Sequence, residues 1–448
     1  MKHVKRGNVI GMCLVALLVN ISISHYCLAV TTEEELKNWP QACYQGEELN
    51  KLREWEKTWV GKKVNQDNID QVKEFMTEQF YNMFKNPKDW GTDELWFTIV
   101  PYQQLPTTPG QVAFTKKYAP TAKLDPNPVE CFWKEGIGPN EFLMGWEKGE
   151  QAGFPFPFPK SGLEMAWNLE SNTRGDTKSM NRLGVVVNPR TRVERRAVQP
   201  WLYDYFTGRC DAPPTPNKPK NPKGIRRAMY LFIEEPLDVQ GTRYMELRYL
   251  DVKRSDDVWV WFPLFRRIRR MGFSYKADTI DGSDLAPDDE VGWNGHVNLK
   301  TWKIIGRKEL LVSRHQDLDK LTRGNGQAVW SGYMMERMNS YVLEAKWKDQ
   351  NAVYSKELLY MDPEDWKCLQ KVTWDRQGRI WRQFFYNTMV VKGTTGGTEG
   401  FEQPHVYELY SSDLQRRHGG PSLDKIDELG QTIHNRFWSI QNLQKLGY

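Results

Sequence analysis

From about residue 180 onward the chain is a succession of short β-forming runs separated by turn residues. This constrains the fold more than any other feature. The runs are 183–187, 193–198, 228–234, 242–252, 258–262, 301–312, 340–345, 352–361, 368–373 and 380–388. Several alternate in polarity: Tyr244, Glu246 and Arg248 interleave with Met245, Leu247 and Tyr249. A period of two is the mark of a strand with two unlike faces. Ser255-Asp256-Asp257 and Asp375-Arg376-Gln377-Gly378 supply turn chemistry between runs. Strands in series pair antiparallel, and a long meander of them curls into a barrel or half-barrel. The expected fold is therefore mainly β with α: a curved antiparallel sheet preceded by a helical segment.

That segment begins near residue 31. Residues 47–59 are charged and amphipathic. Within 67–85, Ile69, Val72, Phe75, Met76, Phe80, Met83 and Phe84 fall at helical spacing, which predicts one helix packed on the main domain and capped by Asp67 or Asn68. Residues 86–160 are rich in Pro, Gly and aromatics. In 154–159, Phe and Pro alternate, which excludes a helix or a central strand; the segment is expected across a surface or at a rim. The sequence KGTTGGTEG at 392–400 reads as a flexible loop, and 424–446 as a helical or irregular tail. The organisation is a leader (1–29), a helical and Pro/aromatic-rich segment (30–150) and a β domain (151–448).

Lys2, Lys5 and Arg6, an apolar run over 9–19 and small residues flanking Leu28 form the pattern of a secretory signal, with cleavage expected after Ala29. The apolar run is shorter than the ~20 residues of a membrane span. Tyr26 before Cys27 argues against lipoprotein processing. A periplasmic location is expected. The chain has 62 basic and 57 acidic side chains, three of the basic ones in the leader, so no nucleic-acid-binding field is indicated. Cys43, Cys131, Cys210 and Cys368 lie far apart; one or two disulfides, in any of three pairings for two, and buried thiols are equally consistent with export.

Recognisable catalytic chemistry is sparse. His296, His315, His405, His418 and His434 show no metal-ligand spacing. The chain has no nucleophile elbow, P-loop or dinucleotide fingerprint. Asp288-Asp289-Glu290 reads as a solvated loop, with calcium spacing absent. No catalytic residue, metal or cofactor is therefore assigned. Two features stand out. The chain holds 19 Trp, 19 Tyr and 19 Phe; Trp259, Trp261, Trp302 and Trp381 fall in or near strands, with Trp259 and Trp261 on one face. Core packing explains most single Trp residues, while the functional alternative is an apolar groove inside the curled sheet. The second feature is Arg266-Arg267-Ile268-Arg269-Arg270, following Phe265. On a strand, Arg266, Ile268 and Arg270 would face one way, and Phe265, Arg267 and Arg269 the other. Guanidinium groups suit an anionic lipid head group; internal pairing with the acidic loop at 281–290 is the preferred alternative.

These residues carry a resemblance. Gly153-Phe154-Pro155-Phe156-Pro157, Ala166-Trp167-Asn168, Trp261-Phe262-Pro263 with the Arg cluster, Asp288-Asp289, Asn294-Gly295, Gly306-Arg307-Lys308-Glu309, Tyr354-Ser355-Lys356 with Tyr360-Met361-Asp362, Gly378-Arg379-Ile380-Trp381-Arg382 and Asp413 to His418 resemble the bacterial domain of unknown function 1329, from about residue 150 onward. The resemblance implies a fold like the envelope lipoprotein carriers, a curved sheet around an apolar cavity. It also implies work beside an exporter of the resistance-nodulation-division type or an outer-membrane protein. The expected function is a periplasmic carrier for a lipid or other hydrophobe, its ligand met by Trp259, Trp261, Phe265, Arg266, Arg267, Arg269, Arg270, Trp302 and Trp381. The alternatives are a glycan-acting envelope enzyme and a non-catalytic adaptor.

Overall fold

The computed structural model describes residues 31–173, 175–188, 193–280, 282–322 and 328–445. The leader lies outside them, as do Asp281 of the acidic loop and Leu446 of the tail.

The described residues form fifteen strands: β1 (Lys63–Val64), β2 (Phe97–Ile99), β3 (Thr177–Val187), β4 (Val193–Tyr205), β5 (Ile225–Phe232), β6 (Arg243–Tyr249), β7 (Asp257–Phe262), β8 (Arg267–Met271), β9 (Lys300–Val312), β10 (Tyr333–Trp347), β11 (Lys356–Met361), β12 (Cys368–Trp374), β13 (Ile380–Lys392), β14 (Glu402–Asp413) and β15 (His418–Leu429). They make one open, curved sheet. It consists of two antiparallel meanders, β3 to β8 and β9 to β15, joined where β15 pairs with β3. The start of β10 also takes β2 in parallel, with β1 beyond it, so the N-terminal segment adds two strands to the sheet. Every expected run overlaps a strand, although 233–234, 250–252 and 352–355 lie beyond the strand ends. The tail is different: 424–429 belongs to β15, and the helix at the end covers only Ile440–Lys445.

The described residues also form six α-helices: α1 (Glu33–Leu36), α2 (Gly46–Trp59), α3 (Glu78–Lys85), α4 (Pro109–Tyr118), α5 (Gly162–Ser171) and α6 (Ile440–Lys445). None among the described residues is long and apolar enough to cross a membrane. The apolar stripe of 67–85 is buried as expected, but it is not one helix. A 3-10 stretch, Ile69–Phe75, ends at extended Met76, and α3 restarts after Thr77. Thr77 Oγ1 accepts the Phe80 N–H, so the working cap is Thr77 and not Asp67 or Asn68. A hydroxyl that can bond the backbone locally offers the chain this break. The stripe packs on one face of the sheet, with Phe80 and Phe84 against Phe385 and Phe97.

The opposite face is covered by α5, by the Phe-Pro segment and by a long strap. The Phe-Pro segment is not a rim: residues 152–157 are buried. Without a strand partner its backbone needs other hydrogen bonds. Asn168 of α5 supplies two, accepting the Phe156 N–H at 2.9 Å and donating to the Phe156 carbonyl at 2.6 Å. The Phe154 N–H donates to Thr115 Oγ1 of α4. Among the described residues, Cys43, Cys131, Cys210 and Cys368 are all free thiols.

Candidate functional site: an aromatic hollow under an ion-clipped strap

The strap, residues 272–299, links β8 at one edge of the sheet to β9 at the other. Its acidic run was expected to be solvated. Asp284, Asp288, Asp289 and Glu290 are instead buried, and three of them each hold a basic side chain on a different strand. Asp284 meets His418 Nδ1 of β15 at 2.8 Å. Asp289 meets Lys371 of β12 at 2.7 Å. Glu290 meets Arg182 of β3 at 2.8 Å, and Arg182 is shared with Asp424 of β15. Tyr354 and Tyr386 donate to the Asp289 carboxylate and carbonyl at 2.8 and 2.7 Å. The strap returns basic groups as well: Lys276 and His296 contact the buried Asp256 carboxylate at 2.6 and 3.1 Å, and Arg248 binds Asp256 and donates to the Asn294 carbonyl. Burial alone would raise the Asp256 pKa, but Arg248, Lys276 and His296 hold it well below the usual range. Burial pushes Asp288 up to about 6.

Where the strap crosses β4 to β7 it roofs an aromatic hollow. Trp201 and Tyr203 of β4 stack at 5.9 Å, and Tyr244 of β6 stacks on Tyr275 of the strap at 6.0 Å. Met229, Leu231, Val258 and Ile280 fill out the apolar wall, and Arg227, Glu246, Glu290 and Asn294 bring polar atoms to it. The enclosed space is about 20 Å³, about the room of one water. The expected apolar cavity or groove is therefore a nearly filled one.

The structure separates the residues singled out from sequence. Trp259 and Trp261 do share a face, but it is the one opposite the hollow, where they pack with Met245, Leu247, Trp438 and Leu443. Trp302 donates its Nε1–H to the Val297 carbonyl and packs edge-on to Trp293. Trp381 donates to Asp413 and lies against Tyr354. Neither is near β7 and β8. The Arg cluster is not a five-residue strand: Phe265 ends a 3-10 turn, Arg266 is left-handed at φ 48, and β8 starts at Arg267. It pairs with none of the described carboxylates of the acidic loop, of which Asp284, Asp289 and Glu290 are committed to the sheet. Arg270 pairs with Asp257, while Arg266, Arg267 and Arg269 are exposed. Register puts Arg269 opposite Val260, and Val260 opposite Tyr244. Arg267 and Arg269 thus sit at the sheet edge on the hollow's own face.

Sequence reasoning missed Arg182, Arg248 and Lys371, which hold the strap. The only signal was charge at alternate strand positions, and that pattern also describes a solvated face. Among the described residues no group of His, Cys, Asp or Glu is arranged to hold a metal.

These features define an open, curved, mainly antiparallel sheet with α3 on one face and α5 and a strap-covered hollow on the other. The chain belongs to the family described as Protein of unknown function (DUF1329), which matches residues 63–418 and so begins well before the β meander. An uncharacterized protein of Pseudomonas aeruginosa is 26% identical over 302 residues, 61% of this chain and 64% of the relative; the chain thus spans under two thirds of that relative's length. Two crystal structures are similar. One is a DUF1329 family protein from Desulfovibrio piger (14% identity, 63% of this chain and 97% of that one, TM-score 0.44). The other is a domain from Vibrio parahaemolyticus provisionally assigned to outer-membrane lipoprotein sorting (15%, 63% and 98%, TM-score 0.43).

Proposed function

We propose that this protein is a periplasmic carrier that binds a lipid or other hydrophobic molecule in the hollow between β4–β7 and the strap. The observation that carries the reading is the hollow itself: stacked aromatic and aliphatic walls roofed by a segment held mainly by ion pairs and hydrogen bonds. Stripping such a wall of water while leaving a few convergent polar groups is the usual composition of a small-molecule site. Because the hollow is nearly filled, loading requires the strap to lift, and the polar clips give it a defined closed position to return to. Each methylene taken up contributes about 0.8 kcal/mol, so a long acyl chain needs no other source of affinity. Arg267 and Arg269, at the sheet edge on the same face, meet an anionic head group. Export through the N-terminal leader and hand-over to a membrane exporter or outer-membrane protein complete the reading.

The test is native mass spectrometry of protein purified from its own periplasm without detergent, followed by lipid extraction. The expected result is a hydrophobic adduct that extraction removes and that Met229→Trp, filling the hollow, prevents. A clean mass with no uptake of offered lipids overturns the carrier reading.

A further inference from the structure

We propose that the adjoining tips of the β5–β6 and β7–β8 hairpins dock the protein on an anionic lipid surface. Three large apolar side chains stand in water there: Leu237 at 83% exposure, Leu264 at 84% and Phe265 at 61%. Leu237 and Leu264 are the two most exposed large hydrophobic side chains among the described residues. The two tips are neighbours: a Cβ placed on Gly241 of the first would lie 3.4 Å from Pro263 of the second. A soluble domain scatters single apolar residues over its surface, whereas side chains gathered at the end of a sheet mark an interaction site.

Charge decides the partner. Arg266, Arg267 and Arg269 lie just after Phe265 and are exposed, and their guanidinium groups have no hydrogen bond or ion pair to another described residue. On the Leu237 side the acids are largely balanced, Asp238 by Arg195 at 3.2 Å and Glu235 by Arg196 at 3.7 Å, leaving Glu234. The tip therefore combines an apolar wedge with a net positive collar. That is the composition of a segment lying at the boundary between head groups and acyl chains of an anionic leaflet. Arg266 holds a left-handed backbone at φ 48, an unfavourable conformation for a side-chain-bearing residue. It places a guanidinium where a glycine would fit the turn with less strain, and a role in contact explains its presence. The proposal does not depend on the hollow: a protein that carries nothing would still dock.

The experiment is co-sedimentation of the mature chain with vesicles of phosphatidylcholine containing phosphatidylglycerol, and with phosphatidylcholine alone. Binding is expected to the first, weakened by salt, and to be much lower on the second. Replacing all three arginines with Gln (R266Q, R267Q, R269Q) should lower the partition coefficient roughly 100-fold, at about fivefold per charge. The variant L237S/L264S/F265S should lose binding while keeping the wild-type melting temperature, since these side chains support no core. Absence of wild-type binding to anionic vesicles overturns the proposal, as does equal binding by all three proteins. So does a tip-dependent cross-link to an envelope protein without vesicle binding, which would reassign the tip to a protein partner. Loss of the hydrophobic adduct in mass spectrometry leaves it standing, so the two readings fail separately.

Discussion

Lys371 of β12 and Asp289 of the strap form a 2.7 Å ion pair in which neither side chain reaches solvent. Lys371 also contacts Glu357 of β11 at 2.7 Å, so one ammonium group joins two strands to the strap. Removing one partner of a buried pair leaves the other charge desolvated and alone. Lys371→Met is expected to destabilise the protein by about 3–5 kcal/mol, measured by urea unfolding. The double replacement Lys371→Met, Asp289→Leu, which leaves Glu357 paired with Lys300, should recover part of that loss. If Lys371→Met alone is neutral, the strap is not held this way.

The two hydrogen bonds from Asn168 to the Phe156 backbone stand in for a strand partner. Asn168→Ala would leave a buried N–H and a buried carbonyl unpaired, at about 1–3 kcal/mol each. Thermal unfolding of this variant should show a loss of about 2–5 kcal/mol, whereas Asn168→Gln, with the same groups on a longer arm, should not restore it.

Glu408 of β14 is fully buried, accepting hydrogen bonds from Asn387 and Tyr333. Burial raises its carboxyl from 4.5 to about 7. Between those values the folded state binds the proton more tightly than the unfolded chain, so stability falls as pH rises through that window and stays lower above it. Glu408→Gln, a neutral isostere, should match wild type near pH 4 and exceed it above pH 7 by up to about 3 kcal/mol. Melting curves across the range decide this; a difference that does not change with pH would show that folding does not shift the carboxyl's pKa.

The free thiols carry an expectation for the proposed location in an oxidising periplasm. Burial pushes the Cys43 thiol up to about 12 and that of Cys131 upward, and Cys210 and Cys368 are fully buried with raised values. A thiol attacks as its thiolate. Protein recovered from periplasm should therefore keep its full thiol count by mass after denaturing alkylation, and a reductant should leave its melting temperature unchanged.

The β meander was legible because period-two alternation and turn residues are local properties. β14 and most of β15 escaped because Pro404, Gly419, Gly420 and Pro421 punctuate them, and such residues ordinarily end strands. The site was far less legible. Glu246 and Arg248 look like a solvated face in sequence, yet both are buried under the strap. What covers a charged strand face is decided by a segment some thirty to fifty residues away, and alternation carries no record of it. Trp261 was drawn toward the ligand by its chemistry, but the C-terminal tail claims its face.

The seam between β3 and β15 joins residues 242 positions apart, as at Arg182 and Asp424. A chain that emerges N-terminus first exposes β3 long before its partner exists. The outer edge of β3 then stands as an unpaired row of amides until nearly the whole sequence has been delivered, a template for wrong pairing. Assembly of this sheet is thus a task for the completed chain, and its last strand is the one that ends the exposure.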